Sequence, residues 1–285
     1  MPSQAEERFS PQFSSLVLRR LHTPADYSAC LALQKETWGD SFAECVPPSL
    51  LMVSQKIGGV AAGAFDENGK LLGFVFGLTG VKDGRLVHWS DMLAVRPEYR
   101  DHGLGRKLKH YQQQLVREIG VGVIYWSYDP LVARNAHLNL NHLGAHVTEY
   151  VPDMYASDAV GTLYRGLSMD RFIVAWEILH EPDEAASSRR MHATRARFAV
   201  APIANDLPSA MIPNSTLPRA AELRVEIPDD IQATKEKDLE EAKVWRATSR
   251  RAFLFYFEHG YRVEGFYRDD ASGRCFYGLS ASVRE

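Results

Sequence analysis

The segment Leu93-Ala94-Val95-Arg96-Pro97-Glu98-Tyr99-Arg100-Asp101-His102-Gly103-Leu104-Gly105-Arg106 decides the fold, because it carries a strand into a glycine turn and the turn into a helix. Leu104, Leu108, Tyr111, Leu115 and Ile119 follow at spacings of four, three, four and four, which is one face of a helix beginning near Gly103 and ending at Gly120 or Gly122. Successive backbone N–H groups converge at such a helix start, where the dipole is positive, so the turn suits a phosphate or pyrophosphate. Gly103 and Gly105 let the loop curl and a ligand approach with no Cβ in the way, while Arg100, Arg106 and Lys107 offer charge-assisted contacts. A G-x-G on its own is more often an ordinary helix start with surface arginines. The order of elements around it has to carry the reading.

Upstream, residues 16–21 read as a short strand, and Thr23-Pro24 starts a helix that runs to about Trp38 and stops at Gly39. Residues 60–66 and 71–79 are apolar runs joined by Glu67-Asn68-Gly69-Lys70, a hairpin turn, and Asp83-Gly84 turns the chain again before a strand at 87–95. Three antiparallel strands therefore precede the glycine turn. Downstream, residues 123–128 are strand-like, 134–143 helical with Gly144 as the stop, and 145–150 and 171–179 strand-like again. Residues 181–221 show prolines and polar clusters without clear periodicity and read as a connector, with one strand around 197–202. Order then returns as a strand at 223–227, a helix at 234–258 capped by Gly260, and a terminal hairpin of 261–267 and 275–279.

Composition bounds the partners. The 285 residues are 45% hydrophobic and 24% charged, with 33 Lys and Arg against 36 Asp and Glu, a net charge of −3. This is a folded globular chain, long enough for one large unit or two modules, with no global positive field for nucleic acid or an anionic membrane. Cys30, Cys45 and Cys275 have neither C-x-x-C spacing nor histidine neighbours, so no disulfide framework or structural zinc is expected. The His137, His142 and His146 spacing crosses a helix end into a strand and brings no carboxylate or thiol with it, so no metal is expected there either. No run approaches the about 18 consecutive apolar residues that span a bilayer, and the N-terminus has no basic start followed by an apolar run, so the expectation is a soluble cytoplasmic protein.

The strand, turn and helix together resemble the GNAT N-acyltransferase superfamily, whose acyl-coenzyme A site carries R/Q-x-x-G-x-G/A at the helix that follows the central strand. Arg100, Gly103 and Gly105 stand at its three diagnostic positions, and the preceding LAVRPEYR is also typical. The resemblance covers residue 16 to about residue 180. Within it, residues 126–144, WSYDPLVARNAHLNLNHLG, resemble a branch with W-x-x-D-P-L and R-N-A-x-x-N-L signatures, some of whose relatives are linked to N-acylation of amino acids, including succinylation. The resemblance implies a mixed α/β fold, a GNAT-like and mostly antiparallel twisted sheet flanked by helices, over residues 14–180. The connector of 181–221 and an additional C-terminal α+β module of 222–285 complete the expected organisation.

It also implies a site. Acyl-CoA, as acetyl-CoA or another acyl chain, is the expected co-substrate, held by Leu93, Ala94 and Val95 through main-chain groups left free where adjacent strands splay. Arg100, Asp101, His102, Gly103, Leu104, Gly105 and Arg106 form the pyrophosphate turn, and Asn135 and Asn139, one helical turn apart, are candidates for pantetheine amides. A small amine, plausibly an amino acid or derivative, is the expected acceptor. Asp91 is the first choice of base because it lies four residues before Val95, where many relatives carry a carboxylate; His88 is the second. Strand alternation puts the two on opposite faces unless a bulge intervenes.

The superfamily's frequent general acid is a tyrosine four residues before the helix-ending glycine, and Leu140 stands there. Tyr125, Tyr128 and Tyr155 are substitutes, or no acid is used, since a thiol of pKa about 8.5 leaves tolerably near neutral pH. Arg134 and Arg171 are candidate carboxylate clamps. The Arg189, Arg190, Arg195 and Arg197 cluster reads as a solvated linker. The C-terminal module is expected to pack on the first unit and to help form the acceptor side or a homodimer interface. A binding module that keeps acyl-CoA but not catalysis is the alternative reading.

Overall fold

The computed structural model describes residues 16–40, 42–155, 166–179, 184–205 and 217–281. Its main sheet has seven strands in the order β1 (Val17–Arg20), β2 (Val60–Phe65), β3 (Leu71–Lys82), β4 (Arg85–Val95), β5 (Val123–Tyr128), β7 (Arg171–Glu177) and β6 (His146–Val151). Neighbours are antiparallel except β4 and β5. The parallel step requires a crossover, and the helix α3 (Leu104–Arg117) supplies it between the two strands.

Helices cover both faces. On one side α1 (Pro24–Trp38) and α2 (Pro48–Lys56) bury Tyr27, Cys30, Leu33 and Leu51 against Phe65, Phe74, Phe76, Met92 and Ala94. On the other, Leu104, Leu108 and Val116 of α3 meet Val60, Ala62, Ala64, Leu72 and Val75, the alternate residues of the same strands. Thr23 caps α1 in a reciprocal box with Asp26, and Pro24 takes the first helical turn, as the local sequence dictates. Helix α2 is absent from the sequence reading; it is short, starts on Pro47-Pro48, and its run Leu50-Leu51-Met52-Val53 conceals any helical period.

After β5 the chain forms α4 (Ala133–Ala136), which widens into a π-helical turn over His137–His142 in place of the uniform helix expected at 134–143. The connector reading of 181–221 is corrected in part: α5 (Glu184–Phe198) is a helix of 15 residues, and no strand forms at 197–202, where only Ile203 makes an isolated bridge to Arg224. Arg195 reaches Asp269 and Asp270, and Arg197 reaches Glu222 and Glu264, so these arginines are anchors of α5 on the C-terminal sheet and not a solvated linker.

That sheet has the order β8 (Glu222–Ile227), β10 (Cys275–Ala281), β9 (Tyr261–Arg268), all antiparallel. The helix expected at 234–258 is two, α6 (Ile231–Lys237) and α7 (Leu239–Glu258). Asp238 lies between them in extended conformation, and its carboxylate accepts the Glu240 and Glu241 N–H groups, capping α7. Phe253 and Phe257 of α7 and Tyr277 of β10 pack on Tyr150 and Phe172 of the main sheet, Phe172 to Phe253 at 4.7 Å between ring centroids, so both parts share one core. Among the described residues no helix is long and apolar enough to cross a membrane.

Candidate active site

The site begins where two strands part. β4 and β5 are paired only at Val87↔Val123, His88↔Ile124 and Trp89↔Tyr125, so from Ser90 to Val95 β4 has β3 on one side and a gap on the other. Register with β3 slips at one place: Met92 faces Phe76 and Ser90 faces Gly77, which makes Asp91 the extra residue of a bulge. Past the bulge the Arg96 N–H bonds Leu72 O at 2.9 Å. Counting back by twos, the main-chain groups of Ala94 are turned to β3, and those of Leu93 and Val95 into the gap. The Val95 carbonyl there accepts the Arg100 Nε–H at 3.0 Å.

The turn follows at the same end of β4. Pro97–Tyr99 form one 3-10 turn, Asp101 has φ of 62°, and Gly103, with φ of 76°, is the left-handed residue from which α3 departs. Lys107 is the first residue to close a main-chain bond in the helix, to Gly103 O at 3.0 Å, so the Leu104, Gly105 and Arg106 amides precede the ladder and point out of the helix end. Leu104 contributes only that amide, since its side chain is buried in the core. A Cβ on Gly103 would meet no atom within 4 Å, and one on Gly105 only Leu93 Cδ2 at 3.7 Å, so the space immediately around the turn is open. Asp101 and His102 are exposed and Arg106 half-buried around it.

Arg100 is half-buried, and burial lowers its pKa, with the nearby Arg134 lowering it further. Asp101, Glu98 and Glu36 act on Arg100 in the opposite sense; guanidinium groups are of the chemistry that an anion takes. Asn135 is half-buried and Asn139 buried on the widened helix. Neither is a cap: the N-cap of α4 is Val132, with no side-chain bond.

The sequence-expected bases separate. Asp91 is exposed on the α1–α2 face, and surrounding protein nevertheless raises its pKa by desolvation, opposed by a hydrogen bond from the Trp89 indole. His88 lies on the α3 face with no exposed surface. Its Nδ1 is 2.9 Å from Thr79 Oγ1, whose hydroxyl donates to Gly58 O, and its Nε2 is 3.0 Å from the Gln112 amide nitrogen. Burial, with Lys109 adding to it, pushes the His88 pKa down to about 3, so the ring is neutral and cannot touch a substrate from this position.

The tyrosines separate as well. Tyr128 is buried, its hydroxyl 3.3 Å from that of Tyr277, which donates to Pro130 O at 2.8 Å. Tyr125, Ser127 and Tyr155 lie on the Asp91 face: alternation sends Ile124, Trp126 and Tyr128 into the core and turns Tyr125 and Ser127 outward, and the Tyr155 hydroxyl is 3.2 Å from Ser127 Oγ. Two cations rest on these rings, Lys82 Nζ 4.7 Å from the Tyr125 centroid and the Arg171 guanidinium 5.2 Å from that of Tyr155. Leu140 is packed in the core. Trp89, Ser90 and Lys109 stand at the fork without having been singled out from the sequence; the signal available was a lysine and two glutamines within the core-facing arc of α3.

Residues 27–139 match the family model described as the acetyltransferase (GNAT) family. No curated protein matches the sequence. Among solved structures, the ribosomal-protein-S18-alanine N-acetyltransferase of Escherichia coli is 20% identical, covering 59% of this chain and 97% of its own, with a TM-score of 0.43. An aminoglycoside 6'-N-acetyltransferase complexed with coenzyme A is 15% identical over 59% of this chain and 99% of its own, with a TM-score of 0.44. An acetyltransferase of Salmonella typhimurium solved with its cofactor acetyl-CoA is 21% identical over 60% and 98%, with a TM-score of 0.45.

Proposed function

We propose, from the match of residues 27–139 to the acetyltransferase (GNAT) family model, that the chain transfers an acyl group from acyl-CoA to the amine of a small molecule, an amino acid or a derivative of one. The observation that carries the proposal is the continuity of two features. The open glycine turn at Asp101–Gly105 and the main-chain groups of Leu93 and Val95 in the β4–β5 gap lie along one path. A ligand with an anionic head and an extended amide arm fits it. In this reading Arg100, the α3 amides and Arg134 hold the pyrophosphate, Leu93 and Val95 bond the pantetheine amides, and Asn135 and Asn139 are further polar contacts.

Chemistry follows from what surrounds the end of that path. Main-chain N–H groups directed into the gap polarise the thioester carbonyl and stabilise the oxyanion that forms on attack. Asp91, its pKa raised from the ordinary value by desolvation, takes the proton from the attacking amine. Arg171 on the same face suits the carboxylate of an amino-acid acceptor, which its guanidinium fork matches in shape.

The test is to mix the protein with acetyl- and succinyl-CoA and a panel of amino acids and their derivatives and to follow free thiol. Acceptor-dependent thiol release is the expected result. Binding of CoA with no release for any amine would overturn catalysis and favour the acyl-CoA-binding module, the reading that the buried Leu140 supports. Failure to bind CoA would overturn both.

A further inference from the structure

Lys109 is a charged residue in the core. It is 3% exposed on α3, its Nζ donates to Ser90 Oγ at 2.7 Å and lies 3.9 Å from the Trp126 ring centroid, and among the described residues no carboxylate pairs with it. Lysine is among the residues least often buried without a partner, and a methionine or leucine would fill the same space at no desolvation cost. Its location is equally specific. Trp89↔Tyr125 is the last β4–β5 pair, so Ser90 and Trp126 are the next residue on each arm of the fork, and the ammonium bridges them. Leu140, which stands where the superfamily's acid is expected, packs in the same core as Trp126 and on the same side of the sheet.

We propose that Lys109, acting through the Ser90 hydroxyl, supplies the proton taken up by the departing thiolate, the duty left open by the leucine at position 140. The inference rests on the acyl-transfer reading above. In the step, the amine lone pair has already formed the C–N bond, and the C–S bond breaks with its electron pair remaining on sulfur. The Ser90 O–H proton passes to sulfur while a Lys109 N–H proton passes to Ser90 Oγ. A free thiol, an intact serine and a neutral lysine result. The acceptor's proton leaves through Asp91 to water, and Lys109 regains a proton from water once CoA has left the gap.

The surroundings agree with a proton donor. Burial pushes the Lys109 pKa down to about 7, below that of an ordinary thiol at about 8.5, so transfer to a thiolate is downhill. The groups facing it are few. On β4 there is His88, neutral; on β5 the same face carries Ile124, Trp126 and the protonated Tyr128; and β2 and β3 present Val60, Ala62, Ala64, Leu72, Val75 and Thr79, none of which titrates.

The experiment compares wild type, Lys109→Met and Ser90→Ala. Lys109 gives up its proton before the thiol does, so the pH profile of turnover is the readout that reports the pair. In turnover both variants are expected to lose about a hundred-fold or more in kcat with the KM for acyl-CoA unchanged, and Lys109→Met to lose the fall in kcat at high pH. Ser90→Ala removes one atom and keeps the test alive if Lys109→Met fails to fold. A Lys109→Met protein that keeps the fall in kcat at high pH, or variants with wild-type kcat, overturn the inference alone. Failure of wild type to bind CoA overturns the acyl-transfer reading and this inference with it.

Discussion

Replacing Gly105 by alanine is expected to move stability and ligand affinity in opposite directions, which separates a folding role for this glycine from a binding role. Gly105 is the second residue of α3 and its φ is not positive, so alanine accepts the backbone without strain. The new Cβ would meet only Leu93 Cδ2, at 3.7 Å, an ordinary van der Waals contact. Alanine is favoured over glycine in helices by up to about 1 kcal/mol. For a chain of this size that is a rise in Tm of about 1–3 °C. The same methyl faces Leu93 of β4, beside which the coenzyme arm is proposed to run. Displacing one charge-assisted hydrogen bond costs about 1.5–3 kcal/mol, which weakens CoA about 10- to 150-fold. Calorimetric titration with CoA beside a thermal melt reads both quantities. A variant that melts higher and binds CoA as wild type does would refute the path drawn for the coenzyme. Gly103 is the poorer probe, because its φ of 76° strains any side chain and confounds folding with binding.

Three other outcomes follow from the structure. Asp91→Asn is expected to lower kcat by about a hundred-fold or more at unchanged CoA affinity, and to remove an acidic limb of the pH profile that in wild type lies above the ordinary Asp range, since desolvation raises this carboxyl; a limb that survives the substitution would exclude Asp91 as the base. His88 has a pKa of about 3 when folded against about 6.5 unfolded, so between these values the unfolded chain binds the extra proton and stability falls as pH drops, by up to about 1.4 kcal/mol per pH unit. Urea titrations of wild type and His88→Gln at about pH 7 and about pH 5 should show a shallower decline in the variant. Arg246→Met should cost about 3–5 kcal/mol in the same urea assay, because it strands Asp129, which is as buried as the arginine that bonds it at 2.6 Å. Adding Asp129→Asn, which keeps the acceptor for the Leu131 N–H, should recover most of that loss, and a double variant as unstable as the single one would contradict the stranded-charge account.

What was legible in the sequence was what is decided locally. Gly103 in the left-handed region and Thr23-Pro24 at a helix start act through their own backbone and their nearest neighbours, so a short window suffices to read them. Helix α5 shows the contrary case. Its arginines, serines and alanines lack an apolar stripe because its seat is supplied by its partner: Thr194 rests against Gly265 and Phe198 against Gly278, two glycines that let the helix come close to the C-terminal sheet. The signal was in β9 and β10, far along the chain.

The bulge at Asp91 and the buried Lys109 were obscured for different reasons. Alternation correctly separates His88 from Asp91, yet the bulge at Asp91 reverses the parity of everything after it, so that Leu93 and Val95 join the α3 side while Met92 and Ala94 face α1. No residue type announces such a bulge. Lys109 was passed over because helical faces are read by counting apolar residues. The buried arc of α3 is centred near Gln112 and includes Lys109, Gln112 and Gln113, while Tyr111 and Leu115 lie at its margin. A polar row in a core is invisible to a hydrophobicity count and is better evidence of chemistry than an apolar one.

The C-terminal part bears on the site through the strand that forms its second wall. A strand that leaves its neighbour at Tyr125 loses on that side the ladder that would hold its remaining length, so the far end of β5 needs other anchors. β7 supplies one along its whole length. Beyond it the anchors come from α7 and β10: the Tyr128 hydroxyl meets Tyr277, Tyr277 bonds Pro130 O, and Arg246 bonds Asp129, all within the three residues that follow Ser127. Asp170, which leads into β7, is bonded in turn by Arg250 and by the Tyr150 hydroxyl. The opening between β4 and β5 is thus set from two directions, by α3 and Lys109 at its base and by the C-terminal unit at the end of β5. A fragment cut at about residue 180 would keep the glycine turn and lose the support that holds the gap open beside it.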